Sequence, residues 1–289
     1  MNRGRCRGWP RVARLAPVGE AVTMALVNVT APAPHVRTVT LDNPARLNSM
    51  SFALVGDLYA AIADVAADND CRVVVLTGAG RAFCSGLELE HAGLPPGTED
   101  LGRHRMGLRA MEYMGGVVPA LRNMPQPIIA AIKGPAYGGG MCLSLGADIR
   151  LAGRSAVFCG AGITNGLTGC ELGVSWLLPR AIGTSRSNEI ILTGRKVEAD
   201  EAERIGLVSQ VMGDDEVLDR ALEMASQMVS LSPLGLTLTK DTLWGALEVG
   251  SLQTAVDLEN RTQLLAGFTG NLNEAAAAFK EKRRPVFTE

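Results

Sequence analysis

Two short apolar runs constrain this chain more than any other feature. The apolar runs in "RVVVLTG" (72–78) and "PIIAAI" (127–132) are unbroken by alternation. A strand of that kind is covered on both faces, as in a parallel sheet flanked by crossover helices. "HVRTVTL" (35–41) has the β-branched alternation of a further strand, "NPARLN" (43–48) reads as a turn, and "ADIRLAG" (147–153) as another short strand. Ser49 or Ser51 can cap a helix whose Leu54, Leu58, Ile62 and Val65 recur at three- and four-residue spacing. Strands alternate with helices, so the expected class is α/β with crossover connections. Past residue 213 the pattern is helical only, in "DDEVLDRALEMASQMVS", "LTLTKDTLWGALEVG", "SLQTAVDLENRTQLLAGF" and "NEAAAAFKEKRR". The expected organisation is an α/β core over 25–213 and a helical region over 214–289. With 289 residues the chain can bury a sizeable core, as one large domain or a core with a smaller appendage.

Composition excludes several function classes. A net charge of −2 gives no electrostatic basis for binding nucleic acid, which calls for a concentrated basic face. No apolar run approaches the roughly 18–20 residues that span a bilayer, so no membrane partner is expected. The six cysteines are scattered without a Cys-x-x-Cys pair, which indicates neither zinc nor a disulfide framework. Reduced thiols and a cytoplasmic location are the expectation. "MNRGRCRGWPRVAR" is basic and lacks the apolar segment of a secretory signal. Residues 1–24 are expected to be a disordered extension, with a transit peptide as the alternative.

Three consecutive glycines in "GPAYGGGMCLSLGADIRLAG" (134–153) raise the question of what approaches the backbone so closely. A phosphate loop requires Gly-Lys-Ser/Thr, but Met141, Cys142 and Leu143 follow the glycines. "GAGRAF" (78–83) resembles a dinucleotide fingerprint, but its third glycine is Phe83 and a polar turn follows in place of a helix. Two readings remain. Glycine can let a helix and a strand pack closely. Alternatively, the unpaired N–H groups that open a helix, joined by one from the "CSGLE" turn (84–88), can converge on one oxygen as an oxyanion hole.

"RAFCSGLELE" (81–90) followed by "PIIAAIKGPAYGGGMCLSLGADIRLAG" (127–153) resembles the enoyl-CoA hydratase/isomerase (crotonase) family. "VTLDNPARLNSMS", "LPRAIGTSRSNEIILTGRKVEADEAERIGLVSQV" and "FKEKRRPVF" extend the resemblance over about residues 26–287. It implies a crotonase-like spiral of βα units with a helical C-terminal region, and homo-oligomers that are trimers or hexamers. It also implies coenzyme A thioesters as substrates, with no cofactor required beyond the coenzyme A they carry. By motif position, the backbone N–H groups of Leu87 and Gly139 would form the oxyanion hole. Arg46 and Lys282 fall where family members approach the coenzyme's phosphates.

The hydratases of the family resemble one another in two glutamates, and here Cys142 and Gly162 stand at those places. Neither can act as a carboxylate acid or base. "GCELGVSWLLPRAIG" (169–183) is similar, without gaps, to the dienoyl-CoA isomerase version of the segment, where an aspartate occupies the place of Glu171. Glu171 is therefore the candidate base, against the alternative of a carboxylate stabilising a helix N-terminus. The resemblance implies an enzyme acting on an unsaturated acyl-CoA, with double-bond isomerisation expected over hydration. The alternatives are a catalytically silent acyl-CoA-binding oligomer and a thioester hydrolase, for which no water-activating group is identified. Glu88 reads as a turn stabiliser, Cys142 as a small buried filler and Trp176 as core, while His35, His91 and His104 show no ligand spacing.

Overall fold

The structure, a computed structural model, describes residues 25–288. The extension expected over 1–24 lies outside the described residues. An antiparallel pair, β1 (Val27–Ala33) and β2 (Val36–Leu41), opens the fold, and His35 sits in the tight turn between them at φ 61°. A 3₁₀ turn at Pro44–Arg46 leads to α1 (Phe52–Ala66). Ser51 is the cap: its hydroxyl accepts the Leu54 N–H at 3.1 Å. Ser49 instead donates to Glu88 Oε2 at 2.6 Å.

β3 (Val73–Gly78), helices α2 (Arg103–Gly115) and α3 (Val117–Arg122), and β4 (Ile128–Ile132) follow. Next come β5 (Pro135–Tyr137), α4 (Gly139–Gly146), β6 (Ile149–Gly153) and β7 (Val157–Cys159). The chain then runs through α5 (Val174–Ile182), α6 (Thr184–Thr193), β8 (Lys196–Glu198), α7 (Ala199–Arg204) and β9 (Gln210–Met212). Helices α8 (Val217–Val229), α9 (Pro233–Ala246), α10 (Leu252–Gly267) and α11 (Asn271–Glu281) complete it.

One sheet has the order β1-β2-β3-β4-β6-β9, parallel from β2 onward, and a small sheet has the order β5-β7-β8. Successive strand side chains point to opposite faces. Val74, Leu76, Ile128, Ala130 and Ile132 therefore join Leu54, Leu58 and Ile62 of α1 in one core. Val73, Val75, Ile129, Ala131 and Leu151 join Val217, Ala221 and Ala225 of α8 in another. Both faces are covered, which is why the strands read as unbroken apolar runs.

The C-terminal helices are different. Leu243, Leu252, Leu264, Phe268, Leu272 and Phe279 are all exposed, Phe279 by 85%. No helix among the described residues is long and apolar enough to cross a membrane.

Candidate active site

The site grows from a parallel alignment of two backbones. Cys84 N–H donates to Pro135 C=O at 3.0 Å, and Tyr137 N–H donates back to Cys84 C=O at 3.0 Å, pairing Cys84 with Ala136. The same offset brings Gly86 opposite Gly138, with Leu87 and Gly139 the next residue on each backbone. A Cβ on Gly86 would lie 2.7 Å from the Tyr137 oxygen and 3.6 Å from Gly138 Cα. Gly138, at φ 49° and ψ −118°, turns the chain from β5 into α4 in a conformation natural only to glycine. A side chain on Gly140 would collide with the Cys84 carbonyl oxygen, and one on Gly139 with Met50 Sδ. Close packing thus explains Gly140, while Gly138 and Gly139 shape the surface on which the two backbones open.

That surface holds two free donors. On the far side of the 84–88 turn, Met50 N–H donates to Gly86 C=O at 2.7 Å, and Met50 C=O accepts the Glu88 N–H at 3.1 Å. This ladder engages the residues on either side of Leu87 and directs its own N–H away from Met50. Gly139 is the first residue of α4 and has no carbonyl one turn behind it within the helix. Gly138 N–H, by contrast, is used, donating to Cys159 C=O at 2.8 Å. Among the described residues neither the Leu87 nor the Gly139 N–H has a protein acceptor.

Glu171 lies beside Gly138, the residue that precedes Gly139. Its Oε1 lies 3.0 Å from the point a Cβ of Gly138 would occupy and 3.7 Å from that of Gly162. Two left-handed residues, Leu172 (φ 46°) and Gly173 (φ 90°), turn the chain between Glu171 and α5. The leucine in that conformation stores strain of about 1–2 kcal/mol. The carboxylate is half-buried and has no hydrogen bond or ion pair among the described residues. Burial pushes its pKa above the ordinary carboxylate value. The side chain caps nothing: Gly173 is the N-cap of α5 without a side-chain bond, and Glu171 offers only its backbone oxygen, to Val174 N–H at 2.9 Å.

The two positions that lack hydratase glutamates are closed. Cys142 is buried, and its thiol donates to Glu171 C=O at 3.5 Å. Burial first, then the neighbouring Glu171 charge, raise its pKa well above that of a free thiol, so it stays neutral. A side chain on Gly162 would run into the Thr168 carbonyl oxygen, so the loop as folded has no room for a carboxylate there.

The remaining sequence candidates are spread more widely. Arg46, partly exposed, approaches His91 Nδ1 at 2.9 Å, Glu90 at 3.3 Å and Glu88 at 3.7 Å. Its carbonyl lies 3.5 Å from Ser85 Oγ, beside the Leu87 turn. Glu88 is held below the usual carboxylate range, chiefly by the Ser49 hydroxyl. Lys282 caps α11 in a left-handed conformation, and no hydrogen bond or ion pair links it to Arg46, Leu87, Gly139 or Glu171.

Sequence reasoning missed Arg81 and Lys133. Both line a cleft with Leu47, Gly80, Ser155, Asp214 and Asp215, on the same side as the Arg46 turn. They follow the carboxyl ends of β3 and β4, where open parallel sheets bind ligands, and that position was the available signal. The described residues hold no group of three or more His, Cys, Asp or Glu side chains placed to bind a metal ion.

The enoyl-CoA hydratase/isomerase family model matches residues 33–289. A probable enoyl-CoA hydratase of Mycobacterium bovis is 50% identical over 280 residues, 96% of this chain and 98% of the relative. The crystal structure of a probable enoyl-CoA hydratase/isomerase from Mycobacterium abscessus superposes with a TM-score of 0.86 at 45% identity, covering 91% of this chain and 98% of the other. That of a monofunctional enoyl-CoA isomerase from M. smegmatis gives 0.69 at 46% identity, covering 80% of this chain and 98% of the other. Fold and sequence agree, and the chain belongs to the enoyl-CoA hydratase/isomerase family of enzymes, with the crotonase fold.

Proposed function

We propose that this enzyme shifts a double bond within an unsaturated acyl-CoA thioester instead of adding water across it. One observation carries the reading. The Glu171 carboxylate, without a protein partner, stands beside Gly138, the residue next to the free N–H of Gly139, while Cys142 and Gly162 fill the hydratase glutamate positions. In this mechanism the thioester oxygen sits between the N–H groups of Leu87 and Gly139. Glu171 takes a proton from an acyl carbon conjugated to the thioester. The C–H electron pair moves toward the carbonyl, giving an enolate whose negative oxygen the two donors stabilise. The protonated Glu171 then returns a proton to another carbon of the conjugated system. The double bond has moved, and no atom has been gained or lost.

The M. smegmatis structure described as a monofunctional isomerase supports this reading, while the M. bovis relative carries a hydratase description. Crotonyl-CoA therefore makes a decisive substrate. A positioned general acid or base contributes about 10²–10⁴-fold, so loss of both hydratase carboxylates should leave hydration very slow. Isomerisation of a 3-enoyl- or dienoyl-CoA should proceed, measured by absorbance and proton NMR. Rapid hydration would show that another group replaces the missing pair and would overturn the reading. No turnover of any unsaturated thioester, with acyl-CoA still bound, would favour the silent binding oligomer.

Arg46 and Lys282 are proposed to meet the coenzyme's phosphates, with Arg81 and Lys133 near Arg46. No hydrogen bond or ion pair joins Lys282 to the site within one chain, and a second copy is proposed as the source of that contact. The exposed Leu264, Phe268, Leu272 and Phe279 support a trimer or hexamer built through the C-terminal helices. Phe268→Asp combined with Leu272→Asp should lower the mass measured by analytical ultracentrifugation while the circular dichroism spectrum stays helical. An unchanged mass would exclude these helices from the interface.

A further inference from the structure

Trp176 is half-buried and forms part of a stack that the proposed reaction does not use. Arg180, one turn further along α5, lies 3.9 Å over its ring and donates to the Trp176 carbonyl at 3.0 Å. On Trp176 also rests Arg122, the last residue of α3, at 4.7 Å from the ring centre. Arg122 in turn lies 4.1 Å over Trp244 of α9. The order is Arg180, Trp176, Arg122, Trp244, a ladder of alternating guanidinium and indole groups across three helices. Each such contact is attractive, and more so where water is excluded. Arg122 is largely covered, and its Nε is buried with no hydrogen-bond partner. Stacking, with one bond from its terminal nitrogen to Glu248 at 3.3 Å, is what holds this guanidinium in place.

The ladder is anchored in the sheet. Trp244 Nε1 donates to Asp148 Oδ1 at 2.6 Å. The other oxygen of Asp148 accepts the Ile128 N–H at 2.7 Å and meets the buried Lys240 ammonium at 3.1 Å. Lys240 also donates to Gln126 C=O at 2.8 Å. One end of the stack is thereby fixed to the start of β4 and β6. The other end is α5, whose first turn follows directly on Glu171, Leu172 and Gly173.

We propose that the Trp244–Arg122–Trp176–Arg180 ladder is the device that positions Glu171: it fixes the C-terminal helix α9 and the sheet to α5, and so holds the Glu171 carboxylate in place beside Gly138. The inference rests on Glu171 being the base. The strained turn at 172–173 makes such a brace necessary, because two left-handed residues of which one is leucine relax when their neighbours no longer hold them. Arg122 and Trp176 are positioning residues and touch no reacting atom. A displacement of about 1 Å at a reacting group can cost up to about 10²-fold in rate.

The test uses the full-length enzyme with an enoyl- or dienoyl-CoA that it turns over. Arg122→Leu should lower kcat about tenfold, leave KM within about twofold, and move the acid limb of the pH–rate profile. Trp244→Phe, which keeps a ring under the guanidinium, should retain most of the rate. Arg122→Leu added to Glu171→Gln should cost nothing further, because the carboxylate that it positions is already gone. Should Arg122→Leu fail to fold, Trp176→Leu and Arg180→Met carry the same expectations.

If Glu171→Gln destroys turnover while the ladder variants keep kcat and pH profile per folded enzyme, the ladder proposal is overturned and the base reading stands. A full additional loss in the double variant likewise overturns the ladder proposal. If Glu171→Gln itself keeps the rate, the base reading fails, and the ladder proposal falls with it.

Discussion

Glu171→Gln should lower turnover by about 10²-fold or more while acyl-CoA binding changes little, because the amide keeps the shape and removes the basic oxygen. The geometry adds a second, opposite expectation for stability. A carboxylate whose pKa rises on folding is worth less to the native state when ionised. Its cost is absent below the unfolded value of about 4.3, grows as pH rises, and is complete above Glu171's raised folded value. At neutral pH the glutamine variant should therefore melt at the same temperature or higher. A carboxylate stabilising the start of α5 would give the reverse, a loss of about 0.5–2 kcal/mol with the rate per folded enzyme intact. A thermal melt run beside a turnover assay separates the two. The wild-type rate should rise through a pKa above the usual carboxylate value, and the variant should lose that limb. An unchanged rate per folded enzyme removes Glu171 from the chemistry.

What could be read in advance, and what could not, follows from the range of the forces involved. β3 and β4 announce themselves because each is covered on both faces, so every residue from Val73 to Leu76 and from Ile128 to Ile132 is apolar. β1 gives no such signal: "VNVTAPA" lies at the sheet edge, mostly exposed, and carries Pro32. The three-residue strands β5, β7 and β8 are too short to show a period, yet β5 sets the offset that pairs Cys84 with Ala136. The glycine run told that something comes close to the backbone. It could not separate Gly140, which makes room for the Cys84 carbonyl, from Gly138 and Gly139.

Glu171 could be nominated by likeness to a related segment. Its place depends on a left-handed leucine, a conformation that no composition rule assigns to Leu172. Trp176 reads as core in the sequence because an indole within an apolar helix ordinarily is. Its two guanidinium neighbours come from α3 and α5, and the α3 partner is 54 residues away by number but 4.7 Å away in space. Side chains joined across helices leave no periodic trace.

Gly139→Val is expected to cost about 10²–10³-fold in turnover, the scale of losing an oxyanion donor, without preventing assembly. The route of the damage is specific. A Cβ at residue 139 meets Met50 Sδ, so Met50 has to give way. Met50 is also the residue whose backbone pairs with Gly86 and Glu88 and thereby aims the Leu87 N–H. One substitution thus disturbs both donors: its own, by the added bulk at the first turn of α4, and Leu87's, through the displaced methionine. The loss should appear in kcat far more than in KM, since an oxygen that becomes negative only in the transition state gains most from the pair. Met50→Ala combined with Gly139→Val tests the route. Removing the obstructing sulfur makes room for the branched side chain, and part of the lost rate should return. If the double variant is as slow as Gly139→Val alone or slower, the valine acts only at residue 139. If Gly139→Val turns over at the wild-type rate, the backbone N–H groups of Leu87 and Gly139 are not what holds the thioester oxygen.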